Sequence, residues 1–200
     1  MNAFTHNPSI ILESSRGIQP VLLTDKLYTD NREIFLTEEI DTESCNNLIL
    51  QLLYLDRISP GEEIKLYINS PGGSTADGLA VYDVMRMLKS PITAIVTGRA
   101  CSMGAILFLA ADKRLLTPHS EVMIHDASFA NADFSGLKPD EISEKSKDLL
   151  KTCDILRKIV ADRTNQPLKK VQEKMKKDSF FKAKEAIEFG LATGILTELP

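Results

Sequence analysis

Gly98-Arg99-Ala100-Cys101-Ser102-Met103-Gly104-Ala105 is the stretch on which the reading of the chain turns. It follows an apolar run, Ile92 to Thr97, and leads into another, Ile106 to Ala111. Read as a strand-to-helix junction, it has glycines at 98 and 104 that would allow a tight turn and close backbone approach. Ser102 would then stand at the mouth of a helix, where free N–H groups and the positive dipole end favour negative charge. That environment suits an acyl-transfer nucleophile, because the attacked carbonyl oxygen becomes an oxyanion. It suits a helix N-cap as well, the commoner use of serine at such a place. Taken alone, the stretch favours the cap, and the flanking chain has to decide.

Working outward, strands and helices alternate. Arg32 to Thr37 reads as a strand, and Asp41 as the N-cap of a helix from Thr42 to Asp56 that buries Leu48, Leu52 and Leu55. Ile64 to Asn69 is a second strand. A helix from about Thr75 to Leu88 follows, with Ala76, Leu79, Ala80, Val84 and Leu88 on one side. Ile92 to Thr97 is the third strand. Beyond the central stretch, Arg114 to Thr117 and Glu121 to His125 read as short strands, and 126–137 as an irregular segment. Pro139 suits the first turn of a long helix to about Thr164. A short helix to about Lys176, a helix from Ala183 to Phe189 capped by Gly190, and a strand from Ile195 to Leu199 complete the pattern. Apolar strands alternating with helices predict an α/β fold with a largely parallel sheet. Residues 1–30 are expected to be a partly mobile N-terminal arm with a short element around Leu22 to Tyr28, and 31–200 a single domain.

The totals narrow the function classes. Two hundred residues suffice for one well-buried core. A net charge of -4 argues against a nucleic-acid binder, which would present a basic face. The apolar runs fall far short of the roughly 20 residues of a membrane span, and the N-terminus lacks the pattern of a secretory signal. Cys45, Cys101 and Cys153 are odd in number and widely spaced, which fits neither a disulfide framework nor a zinc site. These features predict a cytoplasmic protein.

A second glycine turn, Ser70-Pro71-Gly72-Gly73-Ser74, follows the second strand. Its backbone N–H groups could form an anion nest. A phosphate loop is a weak reading, because the required lysine is absent. An ordinary tight turn is the default, and an oxyanion hole gains weight from Ser102 downstream. A serine nucleophile needs a base, and the chain offers His6, His119 and His125. His125 ends an apolar strand, where active sites of α/β folds collect, and so ranks ahead of His119. A third group should orient the imidazole, but spacing does not choose among 28 acidic residues. Cys101 is a rival nucleophile one residue from Ser102, and is better explained as a small buried residue.

Asn69-Ser70-Pro71-Gly72-Gly73-Ser74, Ala100-Cys101-Ser102-Met103-Gly104-Ala105 and Val122-Met123-Ile124-His125 stand in this order. Together they resemble the proteolytic subunit of the ATP-dependent Clp protease, the ClpP family. The likeness extends to Ile34-Phe35-Leu36, Gln51 to Leu55, Leu66-Tyr67-Ile68, Arg163 to Leu168 and Ala183 to Leu191. The resemblance implies a serine endopeptidase with Ser102 as nucleophile, His125 as general base and Asp178, in Asp178-Ser179-Phe180, as the third member. It implies an oxyanion hole from the backbone N–H groups of Gly73 and Met103. The implied fold is the ClpP/crotonase-type spiral of β-β-α units, with a handle over about 126–164. The implied assembly is a tetradecamer of two stacked heptameric rings enclosing a chamber for unfolded polypeptides, in protein quality control. An AAA+ Clp unfoldase would feed it and use the ATP, so the chain itself would need no cofactor.

The chain departs from the family in its N-terminal arm and in two further places. After His125 the family usually has Gln-Pro and a glycine-rich strand, and here Asp126-Ala127-Ser128-Phe129-Ala130-Asn131 stands instead. Where the family commonly has an Asp-Arg pair for inter-ring ion pairs, this chain has Lys176-Lys177. These departures imply altered ring–ring coupling. The alternative reading is a weakly active ring subunit that works mainly in a hetero-oligomer with a paralogous ClpP. A crotonase-like enzyme acting on acyl-CoA thioesters shares the fold and ranks lower, since it would make the serine, histidine and aspartate set a coincidence.

Overall fold

The computed structural model describes residues 7–14, 17–129 and 134–198. The chain opens with a hairpin of β1 (Ser9–Ser14) and β2 (Gly17–Leu22), paired antiparallel, and then α1 (Leu23–Asn31). The stretch expected to be an arm thus carries a hairpin as well as the expected short element, which is a helix. The exposed side chains Ile11 and Ile18 show why the hairpin is hard to read. It buries no face, so no alternation marks it.

A parallel sheet follows. β3 (Glu33–Leu36), α2 (Thr42–Ile58), β4 (Ile64–Ser70), α3 (Thr75–Met87) and β5 (Ile92–Cys101) build it in order, with β3 and β5 flanking β4. Asp41 caps α2 in a reciprocal box with Ser44: its side chain accepts the Ser44 N–H, and the Ser44 hydroxyl accepts the Asp41 N–H. Leu48, Leu52 and Leu55 are buried as the spacing predicts. In α3 the buried residues are Gly78, Val81 and Met85, whereas Ala76 and Ala80 are exposed. The apolar side assigned from the sequence is therefore rotated from the true one. Gly78 sets the true face because Met103 lies on it: a Cβ at Gly78 would come within 2.5 Å of Met103 Cε.

β5 is longer than its apolar run suggests. It continues through Gly98 to Cys101 and borders two strands on one side. Its first half pairs with β6 (Lys113–Leu116) and its second half with β7 (Glu121–Ile124), both parallel. Between β5 and β6 runs α4 (Met103–Ala110), with all eight residues buried. The long α5 (Pro139–Thr164) follows, then α6 (Leu168–Met175), β8 (Ser179–Lys182), α7 (Ala183–Phe189) and β9 (Gly194–Ile195). β8 pairs antiparallel with β7, and β9 parallel with β6. The last strand is shorter than expected and starts earlier; Leu199 lies outside the described residues.

The core is the space between the sheet and α2, α3 and α4, filled by side chains such as Leu52, Ile68, Val96 and Phe108. α5 joins it only through its second half, where Cys153, Leu156, Val160 and Thr164 are buried. Its first half has no buried side chain, as a projecting handle requires. The alternation of parallel strands with helices is the α/β architecture that the sequence predicts.

Candidate active site

Three chain ends converge at one edge of the sheet. β5 and β7 run parallel with Cys101 opposite Met123, so the residues just beyond them leave side by side. The Ser102 N–H donates to the carbonyl of Met123 at 2.8 Å, which fixes the serine against the end of β7. β8 then returns along β7 with Ser179 opposite Ile124. Asp178, which precedes Ser179, is thereby brought beside His125, which follows Ile124. The sequence reading assigned no strand to 179–182, yet β8 is the element that delivers Asp178. Its burial alternates over Ser179, Phe180, Phe181 and Lys182, a signal only four residues long.

Side chains complete the relationship. His125 Nε2 lies 2.8 Å from Ser102 Oγ. Its Nδ1 lies 3.1 Å from Asp178 Oδ1. With Nδ1 protonated toward the carboxylate, Nε2 is free to accept the serine proton, the arrangement that a general base needs. His125 is 27% exposed and Asp178 61% exposed, so this relay opens to solvent in the isolated protomer. Of the other histidines, His119 is exposed in the turn before β7, and His6 lies outside the described residues.

The serine backbone is unusual. Ser102 has φ 54° and ψ -121°, so the turn expected from Gly98 and Gly104 is made by the serine itself. Gly98 sits inside β5, where a Cβ would meet Asn69 Oδ1 at 2.5 Å, and Gly104 lies within α4. Gly98 thus serves close packing against Asn69 rather than the turn, whereas a Cβ at Gly104 would meet Ser70 at an ordinary 3.4 Å.

The second glycine turn closes over the same place. Gly72 has φ 95°, and a Cβ on it would lie 2.6 Å from the Cys101 carbonyl oxygen and 2.7 Å from Ser102 Cβ. The turn is held from below. Ser70 Oγ donates to the Glu38 carbonyl at 2.6 Å and accepts the Gly72 N–H at 3.2 Å. Ile40 donates its N–H to the Gly72 carbonyl and accepts the Ser74 N–H. Among the described residues, the N–H groups of Gly73 and Met103 are given no acceptor in the chain by these bonds. The Met103 N–H belongs to the first turn of α4, where the helix dipole is positive. Two unoccupied donors beside a serine can stabilise an oxyanion.

Cys101 does not share this setting. Its side chain is 5% exposed, and burial pushes its thiol pKa up, which withholds the thiolate a nucleophile needs. No helix among the described residues is long and apolar enough to cross a membrane.

The sequence model of the Clp protease family matches residues 17–199. The chain is also 37% identical over 193 residues to a protein of Deinococcus radiodurans named ATP-dependent Clp protease proteolytic subunit, covering 96% of this chain and 92% of that one. A match of that extent includes all three elements that meet at Ser102, His125 and Asp178, and the chain belongs to the Clp protease family of peptidases.

Proposed function

We propose that the chain is a serine endopeptidase subunit of an ATP-dependent Clp-type protease, cutting unfolded polypeptides inside a ring-shaped chamber. The observation that carries this reading is the hydrogen-bonded series Ser102 Oγ, His125 and Asp178 beside two open N–H donors. His125 Nε2 takes the proton as Ser102 Oγ attacks a peptide carbonyl. Asp178 holds the imidazole tautomer and stabilises the cation that forms. The N–H groups of Gly73 and Met103 receive the oxyanion, each worth about 2.7–4 kcal/mol by analogy with other such holes. His125 then returns its proton to the leaving amine, and water repeats the sequence on the acyl-enzyme. The chain contributes no step that consumes ATP, which belongs to an AAA+ Clp unfoldase docked on the ring.

A fluorophosphonate probe tests the reading. Labelling is expected in the parent chain and in Cys101→Ala, and is expected to vanish in Ser102→Ala and fall steeply in His125→Ala. Persistence in Ser102→Ala would overturn the serine assignment.

A second reading rests on Lys176 and Lys177. Both are exposed at the end of α6, and among the described residues neither has an ion-pair partner in the chain. Two adjacent cations on identical rings repel where an acid and a base would pair. This favours a double ring in which one seven-membered ring is a paralogous subunit over one built from this chain alone. Native mass spectrometry of the purified chain is expected to give a single ring or protomers, with the two-ring mass appearing only with the paralogue. A fully active two-ring assembly of this chain alone would sink that reading.

A further inference from the structure

We propose that Asp126 and Arg157 form a strut through which the long helix α5 holds His125 in line with Ser102 and Asp178. The inference rests on the reading of those three residues as catalytic, and makes Asp126 and Arg157 positioning residues for that reaction.

Asp126 directly follows His125. Its carboxylate accepts two bonds from one guanidinium: Arg157 Nε to Oδ1 at 2.8 Å and Nη2 to Oδ2 at 2.5 Å. This forked geometry fixes orientation as well as distance. The pair is mostly covered, with side chains 14% and 21% exposed, so bulk water screens it little. Arg157 is itself fixed. Leu156 beside it and Val160 one turn on are buried in the core, and Asp154 takes its remaining nitrogen at 2.9 Å.

The backbone of Asp126 is tied on a second side. Its N–H donates to the carbonyl of Met175, the last residue of α6, at 2.7 Å. Asp178 follows Met175 by three residues. One residue therefore touches all three parts: it adjoins His125, grips α5 by its carboxylate, and binds the segment that leads to Asp178. The next residue is tied as well, since Cys153 Sγ donates to the Ala127 carbonyl at 3.6 Å.

The need for such a strut follows from the sheet. On the other side of His125, Ile124 pairs with Ser179 of β8, and Met123 before it pairs with both Cys101 of β5 and Phe180 of β8. Past Ile124 the ladder ends. Without the Asp126 carboxylate, only the backbone bond to Met175 and the Cys153 contact at Ala127 would hold the chain past His125, and the slack would fall on the 2.8 Å and 3.1 Å contacts that the base requires. Because Arg157 lies on α5, whose first half projects from the core, a shift of that helix would be transmitted to the histidine.

Two variants test this, Asp126→Asn and Arg157→Lys, the second keeping the charge and losing the fork. The maximal rate of fluorophosphonate labelling at Ser102 is expected to fall roughly tenfold in Asp126→Asn and severalfold in Arg157→Lys, since small misplacements of a base are costly. The probe concentration for half-maximal rate should stay unchanged. A role limited to stability would lower Tm and leave the maximal rate at 25 °C unaltered. Modification of His125 by diethyl pyrocarbonate, read by peptide mass spectrometry, is expected to speed up severalfold in both variants, with exposed His119 as the unchanged internal control. The exchange Asp126→Arg with Arg157→Asp is expected to recover part of the loss. Wild-type rates of both labelling and His125 modification in the two variants would overturn the strut. The histidine readout does not depend on catalysis. Absence of Ser102 labelling in the parent chain would instead overturn the peptidase reading, and the diethyl pyrocarbonate result would still decide the strut.

Discussion

The carbonyl oxygen of Ile40 occupies the space that a side chain at Gly73 would need: a Cβ there would lie 2.2 Å from it. Gly73 also has φ 151°, a conformation that side-chain-bearing residues rarely adopt. The two residues face each other across an isolated parallel bridge. Gly73→Ala is therefore expected to push the turn away from Ser102 and misdirect the Gly73 N–H. Peptide hydrolysis should lose roughly 10²–10³ in kcat, the cost of one oxyanion donor. A variant with Tm lowered and kcat intact would show that the N–H is not used.

Helix α4 carries the Met103 N–H and has no exposed face, so its packing decides where that donor points. Phe108 is fully buried within it. Phe108→Ala is expected to destabilise the protein by about 3–5 kcal/mol. Urea unfolding followed by circular dichroism measures this. A change under 1 kcal/mol would mean that the helix is less firmly seated than its burial implies.

Asp56 Oδ1 accepts the N–H groups of Ser90 at 2.7 Å and Lys89 at 3.1 Å, joining α2 to the approach of β5. Burial acts to raise its pKa, but the donors from Ser90 and Lys89 outweigh burial and hold the carboxyl below the ordinary aspartate value. A depressed folded pKa stabilises the fold fully above the unfolded value, about 3.9, and less as pH falls through the folded value. Asp56→Ala should cost on the order of 1 kcal/mol at pH 7, after allowance for solvent screening. The gap between variant and parent should narrow below pH 4 in urea titrations. A gap that widens on acidification would contradict the sign.

All three thiols are buried, and burial pushes each pKa up, that of Cys45 to about 11. Iodoacetamide at pH 8 should leave Cys45, Cys101 and Cys153 almost unmodified in the native protein and alkylate all three in guanidinium. Rapid native alkylation of Cys101 would reopen it as a nucleophile. Peptide mass spectrometry reads each site separately.

The sheet and most helices are legible in the sequence because their apolar runs are long and their ends are marked. Asp41, Pro139 and Gly190 do in the structure what such residues do at helix ends. What escaped detection was short or out of phase. β8 is four residues long. The far end of β5 crosses Gly98, a residue that reads as a break. The face of α3 is set by Met103 from a distant part of the chain, which no local period contains. The sequence brought Ser102 and His125 forward by their places at strand ends. Asp178 came only from family likeness, since antiparallel return along β7 selects it among the acidic residues. Asp126 and Arg157 were not singled out as partners, being 31 residues apart on a loop and a helix.

The backbone of Ser102 has one more implication. Its φ of 54° with ψ of -121° is a conformation that glycine adopts freely and serine does not. Such outliers cost of order 1–3 kcal/mol and persist because the surroundings enforce them. Replacing Ser102 by glycine should thus remove labelling and raise Tm by a few degrees, whereas Ser102→Ala should remove labelling with no such gain. Selection for durability and selection for reactivity pull against each other at this one position, and the sturdiest form of the chain would be a disarmed one.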